Sequence, residues 1–123
     1  MILIGDKLIP FDDLVNISSL EEIKNTKANS IISFRYNENL LTYSSKNELD
    51  FAVVIKSIKE AIYANCLNAR YIICQKDLSK DVQKIADNYM FDSKVLAIIE
   101  SCDEIEEIAQ NEIDGIIYKE IIK

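Results

Sequence analysis

Histidine is absent from this 123-residue chain, and with it goes the commonest side chain that changes charge near neutral pH. Ser-His and Cys-His nucleophile pairs and imidazole metal ligands are therefore excluded. Glycine occurs only twice, at Gly5 and Gly115, so neither G-x-G-x-x-G nor G-x-x-x-x-G-K is present. The backbone loops that cradle phosphate in nucleotide-binding folds are missing with them. Cysteine is scarce and odd in number: Cys66, Cys74 and Cys102 show no C-x-x-C spacing, which argues against a disulfide framework or a structural zinc site. Positive charge is short as well. Fourteen bases against 21 acids leave a net charge of −7, and Arg35 and Arg70 are the only arginines. Nucleic acid and anionic membrane surfaces are disfavoured partners on that balance. No apolar run approaches the ~18 residues of a membrane span. The opening Met1 to Lys7 lacks the basic region of a signal peptide, so the expected location is the cytoplasm.

What is present is apolar and regular. Hydrophobic residues make up 49% of the chain against a single proline, which favours an ordered core over disorder. The length fits one α/β domain spanning residues 1–123. The stretch from Asn47 to Gln75 organises the rest. Leu49, Ala52, Val53, Ile55, Ile58, Ala61, Ile62 and Leu67 recur at helical steps, which predicts one long helix running to Leu67. Tyr71 to Gln75 follows without alternation, as a strand buried on both faces of a parallel sheet would.

Before that stretch, Met1–Ile4 and Leu8–Phe11 flank Gly5-Asp6-Lys7 and read as a β-hairpin, with Pro10 on an edge. Ser18 and Ser19 begin overlapping capping boxes for a short helix. Ser30–Tyr36 alternates, placing Ile31, Ser33 and Arg35 on one side, and Leu40–Ser44 reads as its returning partner in a second hairpin. After Gln75 the pattern is helix (capped by Asp77 or Ser79), strand Val95–Ile99, helix (capping box Ser101 to Glu104), and strand Ile116–Tyr118. The expected fold is α/β with a mixed sheet: N-terminal β-hairpins joined to a C-terminal parallel α-β-α-β-α-β half.

Open parallel sheets bind ligands beyond the carboxyl ends of their strands. The candidate ligand-binding residues are accordingly Lys76 and Asp77 after the first parallel strand, Glu100, Ser101, Cys102 and Asp103 after the second, and Tyr118 and Lys119 after the third. Asp77, Glu100, Asp103 and Glu120 together would suit Mg²⁺, although capping alone accounts for Asp77 and Ser101, and no metal site is assigned. Cys102 begins a helix but is ringed by acids and lacks a base. Such strand-end polarity is shared with phosphoryl-handling receiver domains, but their paired acids and mid-chain phospho-accepting aspartate have no counterpart here. No catalytic residue or cofactor is specified. The sequence favours a non-enzymatic binding or self-assembly module, compatible with a homo-oligomer. The alternative is a small-ligand or Mg²⁺-dependent enzyme or sensor at the carboxylate-rich strand ends.

Overall fold

The computed structural model describes residues 1–122. Its strands are β1 (Ile2–Ile4), β2 (Leu14–Asn16), β3 (Ile31–Arg35), β4 (Phe51–Val54), β5 (Tyr71–Gln75), β6 (Lys94–Ile99) and β7 (Gly115–Tyr118). They form one seven-stranded sheet in the order β1-β7-β6-β5-β4-β3-β2, and every neighbouring pair is parallel. The α-helices are α1 (Leu20–Lys24), α2 (Glu38–Lys46), α3 (Ile58–Cys66), α4 (Lys76–Asn88) and α5 (Ile105–Gln110). From β2 onward each strand lies beside its successor with a helix between them, while β1 joins beyond β7.

The sheet is curled. β2 and β7 are five strand spacings apart, on the order of 24 Å in a flat sheet. Yet the Asn16 side-chain amide at the end of β2 donates to the carbonyl of Ile121, just past β7, at 2.9 Å. Only a half-barrel brings those ends together. Its convex face carries the larger core, where Phe34, Phe51, Val53, Ile72, Val95 and Ile116 meet the helices through Ala61, Val82 and Ile108. Its concave face has a core of its own, with Ile31, Ala52, Ile73, Leu96 and Ile117 packed against Phe11 and Leu14.

Because β1 and β2 run the same way, residues 5–13 must carry the chain back from the carboxyl end of one to the amino end of the other. This strap crosses the open side of the half-barrel. At its top Gly5 takes φ +94° close against Ile121 and Tyr118. At its foot Asp12 faces Arg70 at 3.8 Å. Gly115 has a steric role: a Cβ there would stand 2.4 Å from the carbonyl oxygen of Ile2, so only glycine lets β1 pair this closely.

Four helices stop in the same way. Glu48, Asn68, Met90 and Glu112 adopt positive φ, and each following residue donates to a carbonyl in the preceding helix: Leu49 to Ser44, Ala69 to Ala64, Phe91 to Ala86 and Ile113 to Ile108. This is the Schellman arrangement, with an apolar residue directing the chain back toward the next strand.

The parallel order of β5, β6 and β7 matches the sequence expectation; the first half does not. Among the described residues there are no N-terminal hairpins, and every strand pair is parallel in place of the expected mixed sheet. Leu8–Phe11 forms no strand, and β1 pairs with β7 instead. Leu40–Ser44 lies within α2, where Leu40, Leu41 and Ser44 share the buried face and the Asn37 side chain caps the Leu40 amide at 3.1 Å. The expected helix from Asn47 to Leu67 is instead β4 followed by α3. Phe51-Ala52-Val53 is fully buried on both faces, a requirement a parallel strand meets in four residues. The helical spacing arose because a short all-apolar strand satisfies any period.

Candidate functional site

A crevice of about 310 Å³ opens at the carboxyl ends of the strands, on the concave side. Residues reach it from β2 (Asn16), β3 (Ser33 and Arg35), β4 (Val54), β5 (Gln75), β6 (Ile98) and the segment after β7 (Lys119 and Ile122). The curl is what gathers them. In the parallel register Asn16 pairs with Ser33, Arg35 with Val54, and Gln75 with Ile98.

The wall on the β2 side is built from internal hydrogen bonds. The Ser33 hydroxyl, on a residue only 1% exposed, donates to the Asn16 carbonyl oxygen at 2.6 Å, and Asn16 passes its own amide to Ile121. Arg35 is exposed at the lip and pairs with no carboxylate among the described residues. Lys119 leans on Glu100 at 3.3 Å. Tyr36 and Asn37, where α2 begins, also line the opening. The amino end of that helix faces the opening, where the Glu38 carboxylate in its first turn offsets its positive partial charge. Among the described residues no acidic side chain and no thiol lines the crevice.

Of the eight residues expected at the site, Lys119 lines this crevice and the others lie outside it. Lys76 opens α4 directly from β5 without a loop, and its ammonium reaches Glu104, just before α5, at 3.0 Å and Glu107, on α5, at 3.4 Å. Ser101 and Glu104 form the expected capping box. The Glu104 carboxylate accepts the backbone amides of Glu100 at 2.8 Å and Ser101 at 3.0 Å. Those contacts hold its pKa below the ordinary carboxylate value, the Glu100 amide contributing most, then the Lys76 ammonium and the Ser101 amide. Lys76 is pushed up, chiefly by its hydrogen bond to Glu104.

Asp77, Cys102 and Asp103 are exposed around these helix starts. The expected cap on α4 is also replaced: Gln75 holds that position without a side-chain bond, and the Ser79 hydroxyl donates to the Lys76 carbonyl. Tyr118 turns its hydroxyl to Asp6 at 3.0 Å, and its pKa is raised by burial first and then by Asp6. Among the described residues, no three His, Cys, Asp or Glu side chains group as a metal ion requires, so Asp77, Glu100, Asp103 and Glu120 make no cage for Mg²⁺. Cys74 is buried within β5, and burial, followed by the charge of Asp77, pushes its thiol up to about 12. That makes it a packing residue.

Asn16, Ser33 and Arg35 are not among the residues the sequence nominates, while Gln75 ends the first of the three parallel strands whose tips it does nominate. For Ser33 and Arg35 a signal existed: the alternation of β3 puts them on one face with Ile31. Which face of β3 is enclosed depends on its neighbours, and the sequence pairs it with a hairpin return (Leu40–Ser44) in place of β2 and β4. Asn16 had no signal, since three residues of β2 carry no period. Among the described residues no helix is long and apolar enough to cross a membrane. No protein-family model matches the chain, and no curated protein matches it in sequence.

Proposed function

We propose that this chain is a non-enzymatic binding module that holds a small anionic ligand at the mouth of its half-barrel. The observation that carries the reading is Arg35, at the lip of a crevice that no acidic side chain lines, a guanidinium without a carboxylate partner, both among the described residues. An arginine in that position presents a planar fork of donors suited to carboxylate or phosphate. The side chains present support binding over catalysis: among the described residues the crevice has neither a carboxylate nor a thiol, and the chain has no histidine to serve as a base. Three free thiols fit a reducing cytoplasm, and the net charge of −7 fits a partner other than nucleic acid.

The test is thermal unfolding at low salt with a panel of small carboxylates and phosphates, on the wild type and on Arg35→Gln. A ligand at 100 times its Kd stabilises the wild type by about 2.7 kcal/mol, and Arg35→Gln loses that gain while keeping its own unliganded stability. No stabilisation by any anion, or equal stabilisation of the variant, contradicts the proposal.

Self-assembly into a homo-oligomer is the second reading. It is favoured by Leu8, 88% exposed on the strap, and by Val15, 37% exposed on the edge strand β2. A sedimentation mass that stays monomeric at every concentration removes it.

A further inference from the structure

The proposed anion crevice carries enough detail to name the class of its ligand. Charge comes first. Arg35 and Lys119 are the cations lining it, and Lys119 already faces Glu100. Among the described residues Arg35 is the lining cation without a carboxylate partner, inside a chain whose net charge is −7. A phosphate, close to a dianion at neutral pH, would bring two negative charges to that single partner and meet the repulsion of the whole acidic molecule. A monoanion balances it.

Hydrogen-bonding capacity comes second. A sugar or other polyol would need several donors and acceptors inside the crevice, because each hydroxyl taken from water without a partner costs binding. The polar groups deepest in the wall are already committed. Ser33 gives its proton to Asn16, Asn16 gives its amide to Ile121, and Asn37 accepts the Leu40 amide. Tyr36, Asn37 and Gln75 add polar groups at the opening, while the apolar part of the lining includes Val54, the register partner of Arg35, with Ile98 and Ile122. All three belong to the concave core or pack against it. The volume of about 310 Å³ stands at the lower limit for small-molecule pockets.

We infer that the ligand is a small monocarboxylate with a short aliphatic tail, its carboxylate on the Arg35 guanidinium and its tail against Val54, Ile98 and Ile122. The inference rests on the anion reading above and sharpens it. Arg35 supplies a bidentate contact that a lysine would not reproduce, and the aliphatic wall supplies affinity that grows with each methylene buried.

The test is calorimetric titration of the wild-type chain, in a buffer free of phosphate and carboxylate, with acetate, propionate, butyrate, valerate, inorganic phosphate and glucose 6-phosphate. The expected result is affinity rising roughly fourfold per added methylene until the crevice is filled, with every carboxylate beyond acetate binding more tightly than either phosphate. Arg35→Lys should weaken the whole carboxylate series, and Ile122→Ser should flatten its dependence on chain length. A phosphate that outcompetes valerate, or a carboxylate series with no chain-length dependence, overturns the monocarboxylate assignment and leaves the anion crevice standing. Binding by none of the six overturns both. Because the wild-type series alone decides between these outcomes, the conclusion does not depend on either variant folding.

Discussion

Glu104 shows how much of this molecule is fastened by single polar side chains. One carboxylate oxygen gathers the amides of Glu100 and Ser101, and the other takes the Lys76 ammonium, tying the end of β6 to the first turn of α4. Its pKa is lowered in the folded chain, so the sign of the linkage follows: the contribution is complete above the ordinary carboxylate value and is lost as pH falls through the depressed one. The expected outcome for Glu104→Gln is a stability deficit against wild type that is greatest near neutral pH. It should shrink steadily below about pH 4.5. Urea titrations at several pH values measure it, and a deficit independent of pH would show that the charge contributes nothing. The candidate residues around Glu104 were legible as polar strand ends, but their type could not say whether they met a ligand or each other. Geometry assigns Lys76, Ser101 and Glu104 to each other.

At the scale of elements, the helix stops explain what the sequence concealed. Helices are expected to end at glycine or asparagine, and Asn68 is such a residue. Glu48, Met90 and Glu112 reach the same left-handed conformation with side chains that give no warning. With no glycine before Phe51, the strand Phe51–Val54 merged by spacing into α3. The strand Tyr71–Gln75, preceded by Asn68, stood clear. Glu48 also offers a direct test of the break. Glu48→Gly should leave stability unchanged or raise it by up to about 1 kcal/mol, because glycine relieves the strain of positive φ. In a continuous helix from Asn47 the same change would cost about 1 kcal/mol. Denaturant midpoints at a constant m-value separate the two.

At the scale of the molecule, the curl gathers strand ends around a crevice. In a flat sheet Asn16 and Ile121 could not touch, and Arg35 and Lys119 would lie on separated strands. The alternation of Ile31, Ser33 and Arg35 was visible in the sequence, yet its meaning depended on whether that face met water or the inside of a half-barrel. That depends on contacts between residues more than a hundred positions apart, such as Asn16 to Ile121 and Tyr118 to Asp6, which no local pattern records. The parallel second half was legible because each of its strands is an unbroken apolar run set off by polar helix starts.

The most direct test of this architecture is the set of cross-strand nuclear Overhauser contacts in isotopically labelled protein. The parallel half-barrel predicts contacts joining Ile2 to Gly115, Leu14 to Ile31 and Ile32 to Phe51. Contacts placing Ile4 opposite Leu8, or Tyr36 opposite Leu40 as antiparallel partners, would contradict it and leave the crevice without its walls.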